Sequence, residues 1–215
     1  MFKRLKSLDN AHFQNNTDDV TEVPLLQAAD QPVVIQQLSL SAFEANLPKK
    51  LVKTVNESIY SEEIRRLIIR WIKARENGKG LTGNQIEIIF QFELPQLIEE
   101  LLQELKNERS KVRLQAAEAI AKTGGPDAIK ILSPFIRGSE VVVAYPEPLG
   151  GKSLNITLGD IAFQLILKLE GQALKDFGLL TTAGTMLLSE SPVYGFVDRE
   201  SATEAIAMWE SNLKK

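Results

Sequence analysis

From Leu47 to Arg137 the apolar residues recur at spacings of three and four, one helical pattern after another. In SEEIRRLIIRWIKARENGKG, Ile64, Leu67, Ile68, Trp71 and Ile72 form one stripe. Ser61 suits its N-cap, Glu62 and Glu63 fall in the first turn where the helix dipole favours anions, and Gly78 and Gly80 end it. TGNQIEIIFQFE begins with Thr82 as a cap; IEIIFQF also reads as a strand, and its helical neighbours decide for helix. LPQLIEELLQELKN sets Leu94, Leu97, Ile98, Leu101, Leu102 and Leu105 on one face, with Pro95 in the first turn, where a missing N–H is tolerated. In KVRLQAAEAIAKTGGPDAIKIL, the stripe is Val112, Ala116, Ala119, Ile120 and Thr123. Alanine at a contact lets a neighbouring helix approach to about 8 Å. Gly124 suits a left-handed position after this helix, and Pro126 the first position of the next. The following stripe, Ala128, Ile131, Leu132, Phe135 and Ile136, is kinked or ended by Pro134. So short a connection predicts an antiparallel helix pair.

The pattern changes after Gly138. Val141 to Tyr145 is a short β-type run, and the proline- and glycine-rich loop behind it predicts a hairpin-like insertion from Val141 to Ile156. Helix returns in TLGDIAFQLILKLEGQ, where Thr157 and Asp160 approximate a capping box. Its apolar face is Ile161, Leu165 and Leu169, joined by Ala162 and Ile166. The stretch from Ala173 to Phe196 is punctuated by glycine and serine and yields no assignment. RESATEAIAMWESNLKK predicts a last helix with Ala202, Ile206, Trp209 and Leu213 on one side. Residues 1–45 are polar, interrupted by Pro24 and Pro32, and read as an irregular N-terminal arm. Phe2, Leu5 and Leu8 between Lys3, Arg4 and Lys6 give that arm one amphipathic turn, suited to a docking peptide or a weak membrane contact. No apolar run has the length of a transmembrane segment and the basic start lacks the apolar core of a secretory signal, so a cytoplasmic protein is expected.

Composition narrows the chemistry. The chain has 215 residues and a formal net charge of -3, so no global field recruits nucleic acid. With no cysteine there is no disulfide, thiol catalysis or iron–sulfur cluster. His12 is the one histidine, which excludes a histidine-rich metal site and disfavours a Ser-His-Asp arrangement. PEPLGGKS approaches a phosphate-binding loop at Gly151, Lys152 and Ser153, but Pro146 stands at the first glycine position and has no N–H to donate. Glu62-Glu63 and Glu99-Glu100 are sequence neighbours about 100° apart on a helix, a poor arrangement for paired carboxylate catalysis. No catalytic residue, cofactor or metal is expected.

The candidate partner-binding residues are cationic or aromatic. Arg66, Arg70 and Lys73 share a helix face within the basic run from Arg65 to Lys79, and Glu62, Glu63 and Glu76 are near enough to pair with them. Arg109, Lys111 and Arg113 form a second cluster. Arg113 also suits a bridge between stacked units. Tyr145 closes the β-type run.

Val112, Arg113, Ala116, Ala117, Ile120, Gly124 and Asp127 carry a resemblance. The segment KVRLQAAEAIAKTGGPDAIKIL is similar to HEAT-like repeats of the phycobilisome-lyase type and of many bacterial HEAT proteins, within the armadillo-type fold. The turn before the Val-Arg pair reads NERSK where that family places an aspartate. One unit is clear, over about a fifth of the chain. The resemblance implies an all-α superhelix, a HEAT-like solenoid over residues 46–215. It also implies a non-catalytic scaffold or adaptor that binds another protein. The alternative it implies is a bilin-lyase-like protein that binds or delivers a chromophore.

Overall fold

The computed structural model describes residues 61–74, 79–145, 154–186, 188–189 and 191–213, and within them the predicted helical stripes fold as helices; the start of the helical pattern, from Leu47 to Tyr60, lies outside the described residues. The chain divides into two units, Met1–Lys79 and Gly80–Lys215. In the first, helix α1 spans Ser61–Lys73. Ile68, Trp71 and Ile72 of its stripe are buried, while Glu62, Arg66, Arg70 and Lys73 are exposed.

The second unit begins with α2 (Gly83–Phe92), the segment whose composition also suited a strand. A capping box decides it locally. The Thr82 hydroxyl accepts the Gln85 N–H at 3.2 Å, and the Gln85 side-chain oxygen accepts the Thr82 N–H at 2.9 Å. A 3₁₀ turn at Pro95–Leu97 leads into α3 (Ile98–Glu104), and Leu94, Leu97, Leu101 and Leu105 are buried as their spacing predicts. Helix α4 (Ser110–Thr123) packs against both α2 and α3. It is buried beyond its predicted stripe, at Leu114, Ala117, Glu118 and Ala121 as well. Four buried alanines on one helix, Ala116, Ala117, Ala119 and Ala121, keep it slim enough for neighbours on several sides.

The Gly-Gly-Pro stop differs from expectation in one respect. Gly124 is right-handed at φ −72, and Gly125 takes the left-handed conformation at φ 53. Gly124 answers a different constraint: a Cβ there would stand 2.8 Å from the Ile120 carbonyl oxygen and 3.0 Å from Ala128. After a 3₁₀ turn at Gly125–Asp127, α5 (Ala128–Leu132) is short. Ahead of Pro134 it tightens into a 3₁₀ turn, Ser133–Phe135, as an interior proline requires.

Strand β1 (Val141–Tyr145) pairs antiparallel with β2 (Leu154–Thr157), which confirms the predicted hairpin; Tyr145 is opposite Leu154. β2 runs directly into α6 (Leu158–Leu169), where the Thr157–Asp160 capping box forms. The first turn of α6 rests on the 136–138 backbone, Gly159 donating its N–H to the Gly138 carbonyl at 3.2 Å. A second hairpin occupies the stretch that had no sequence assignment. After a 3₁₀ turn at Leu174–Phe177, β3 (Leu180–Met186) pairs antiparallel with β4 (Pro192–Gly195). The last helix, α7 (Arg199–Asn212), is capped by Asp198, whose carboxylate accepts the Ser201 N–H at 2.8 Å. The described residues are thus mainly helical, with two small two-stranded sheets.

The core gathers around α6, which is buried at every residue from Leu158 to Leu167 and packs against α4, α5, β2 and β4. Phe163 is central: Phe177, Phe196 and Trp209 lie 5.7, 6.0 and 5.9 Å from it, centroid to centroid. Two residues placed on apolar faces by spacing are instead exposed, Leu169 at 43% and Leu213 at 61%, because both lie at the ends of their helices.

A Cβ at Gly159 would stand 2.6 Å from two carbonyl oxygens, those of Ile136 and Gly138, whereas a Cβ at Gly125 meets nothing within 4 Å. Gly159→Ala is therefore expected to lose about 1–3 kcal/mol by overpacking. Gly125→Ala carries only the left-handed backbone penalty, about 1 kcal/mol. Urea midpoints of the two variants check the order, and equal losses would contradict the packing described.

Candidate functional site

Chemistry-bearing side chains converge along one stripe of α6. Asp160, Gln164 and Lys168 follow at intervals of four, so they lie on one helix face. Asp160 is 1% exposed. Its Oδ2 accepts the Thr157 N–H at 3.0 Å, and its Oδ1 meets Arg199 Nη1 of α7 at 2.7 Å. The same Arg199 nitrogen donates to the Thr157 hydroxyl at 3.0 Å. The first turn of α6 and the first turn of α7 are thereby joined through a charged contact with Arg199 partly in solvent.

One turn on, Gln164 is completely buried. Its amide nitrogen donates to the Pro192 carbonyl at 3.0 Å, and its oxygen accepts the Tyr194 N–H at 3.0 Å. Residues two apart on a strand offer their main-chain groups to the same edge, so Gln164 stands in for a neighbouring strand along β4. A further turn on, Lys168 places Nζ 6.0 Å from the Tyr194 ring centroid. Burial lowers the Lys168 pKa below the ordinary lysine value, and the Glu118 carboxylate acts in the opposite sense. Glu118 reaches over from α4 and is 3% exposed. It accepts the main-chain N–H groups of Leu188 and Ser189 at the end of the second hairpin, the latter at 2.9 Å.

A third buried carboxylate works the same way elsewhere. Glu104 of α3 accepts the Leu81 N–H at 2.6 Å and the Asn107 amide at 2.7 Å, fixing the chain ahead of α2. In all three cases the oxygens hold internal donors, which suits positioning of segments rather than proton transfer or nucleophilic attack. Among the described residues no group of three or more His, Asp or Glu is placed to hold a metal ion, and no helix is long and apolar enough to cross a membrane.

The cationic candidates fall elsewhere. Arg66, Arg70 and Lys73 share the exposed face of α1. Arg109 is exposed immediately before α4. Arg113 is half-buried one turn into α4, where Nη2 donates to the Val141 carbonyl at 3.3 Å and Nη1 lies 3.9 Å from Glu140. It links α4 to the start of β1, whereas its position had suggested a bridge between stacked helical units. Tyr145 lies on that strand four residues from Val141, with its main chain opposite Leu154. The phosphate-loop candidate at 146–153, His12 and the N-terminal arm lie outside the described residues.

Sequence reasoning missed the α6 stripe. The signal was there as Asp-x-x-x-Gln-x-x-x-Lys, but the apolar residues around it drew the reading to a one-sided helix. Glu118 was hidden within the alanine-rich segment, and its partners belong to the hairpin that had no assignment. Comparison of the chain with protein-family models, with curated proteins and with solved structures finds no match.

Gln164→Leu keeps the bulk and leaves the Tyr194 N–H and Pro192 carbonyl without partners. The expected loss is about 2 kcal/mol or more, read from urea unfolding, together with faster amide exchange at Tyr194. Lys168 gives a pH dependence whose sign is fixed. With the folded pKa below that of the unfolded chain, the unfolded state binds more protons between the two values, so stability rises with pH across that window up to 10.5. Replacing it by methionine is expected to reduce this rise, measured as the wild-type-minus-variant difference in urea midpoint across the alkaline range.

Proposed function

We propose that this chain is a non-catalytic, cytoplasmic scaffold or adaptor of HEAT-like type that binds another protein through its outer surfaces. The observation that carries the reading is the commitment of the buried carboxylates among the described residues to internal donors: Glu104 and Glu118 to main-chain amides of other segments, Asp160 to its own helix start and to Arg199 of α7. Their chemistry maintains the architecture, and the candidate recognition groups, Arg66, Arg70 and Arg109, face outward. The slim, alanine-lined α4 between α2, α3 and α5 is the kind of close helix packing on which stacked helix pairs depend.

The chromophore alternative calls for a cleft with aromatic walls. Phe163, Phe177, Phe196 and Trp209 instead pack on one another in the core, which supports the scaffold reading. The test is isolation of the tagged full chain at native expression level. The expected result is a colourless preparation that carries one other protein in stoichiometric amount. A visible absorption band that stays with the chain, or turnover of a small molecule with no partner present, would overturn the proposal.

A further inference from the structure

The exposed face of α1 carries an ordered charge pattern. Glu62, Arg66 and Arg70 follow at intervals of four, so they lie along one line of the helix surface, roughly 6 Å apart. All three are exposed. Glu62 stands four residues before Arg66, the favourable arrangement for an ion pair within a helix. Yet among the described residues none of these three side chains forms an ion pair or hydrogen bond. The opposite face is occupied, since Ile68, Trp71 and Ile72 are buried. The two guanidinium groups therefore present their planar forks outward, and a carboxylate matches such a fork with two parallel hydrogen bonds.

We propose that this line is the docking surface for an acidic helical segment of the partner protein, one carrying Glu or Asp at two positions four apart and a cation four further on. The inference rests on the adaptor reading and deepens it. Charge complementarity selects this occupant. Two carboxylates at helical spacing meet Arg66 and Arg70, and the cation meets Glu62, which fixes the register. A nucleic acid fits less well, because Glu62 repels a phosphate in the same line and Trp71, the aromatic residue of the helix, is 8% exposed and not offered for base stacking. Exposed pairs of this kind give specificity and association rate more than affinity.

The test is a titration of the full-length chain, labelled with ¹⁵N, by a synthetic helical peptide with a Glu-x-x-x-Glu-x-x-x-Lys repeat. A scrambled peptide of the same composition and a single-stranded oligonucleotide serve as separate arms. The expected result is that the Nε–H signals of Arg66 and Arg70 shift with the ordered peptide only. The peptide then binds the R66E/R70E variant roughly tenfold or more weakly, and a Lys-x-x-x-Lys-x-x-x-Lys peptide, whose last cation still meets Glu62, recovers binding to that variant. Circular dichroism of the variant shows that the fold is kept. Equal response to the scrambled peptide, unmoved arginine signals, or tighter binding of the oligonucleotide would overturn the proposal. If a stoichiometric protein co-purifies equally with wild type and R66E/R70E, the adaptor reading stands and this surface is not its site. If no protein co-purifies with either, the adaptor reading itself fails.

Discussion

Helix α6 has no face in water from Leu158 to Leu167, and the rest of the second unit is arranged around that constraint. A helix buried all round can carry polar side chains only if its neighbours satisfy them. Asp160 is satisfied by the chain entering the helix and by α7, and Gln164 by the edge of β4. Farther along, Lys168 lies beside Tyr194 and within the influence of Glu118, which itself holds the end of the second hairpin. Two buried polar positions on one line, Asp160 and Gln164, thus tell α7 and the second hairpin where to pack, while the Phe163 cluster supplies the apolar burial between them. Apolar contact alone is tolerant of small shifts in register. Two hydrogen bonds from one amide to residues two apart on a strand are not.

This division of labour bears on function. The buried charges are engaged within the fold, so the proposed recognition is sought among the groups that the fold leaves outside. Helix α4 follows the same logic at smaller scale. Its alanines admit close neighbours, its one buried carboxylate fixes the second hairpin, and Arg113 on the same helix holds the first hairpin at Val141. Both hairpins are therefore tied to a helix by side chains that reach their main-chain groups, which fixes them to the helical body.

Most of the helical organisation was legible in the sequence because periodicity and capping act locally. The Thr82 cap, the Thr157–Asp160 box, the stop at Pro134 and the β-type run from Val141 to Tyr145 all involve residues within a few positions of one another. What escaped is long-range. The second hairpin has weak strand composition at Thr182-Ala183-Gly184 and is held by Glu118 and Gln164 from helices far away in sequence. The left-handed glycine was placed one residue early because Gly124 and Gly125 are equivalent to any local rule; the close approach of Ala128 separates them. The outward cations were legible by helical spacing, but not which of them lack an internal partner. Arg113 and Arg66 look alike in sequence and differ in that respect.

The central claim is that the polar stripe of α6 makes the second hairpin part of the same cooperative structure as the core. Native-state hydrogen exchange on the unmodified chain measures this most directly. The account predicts that the amides of Tyr194 and Ser189, both bonded to buried side chains, exchange through the same opening as the centre of α6, with matching protection and denaturant dependence. Exchange of those two amides many-fold faster than the α6 centre, through a local opening insensitive to denaturant, would contradict it.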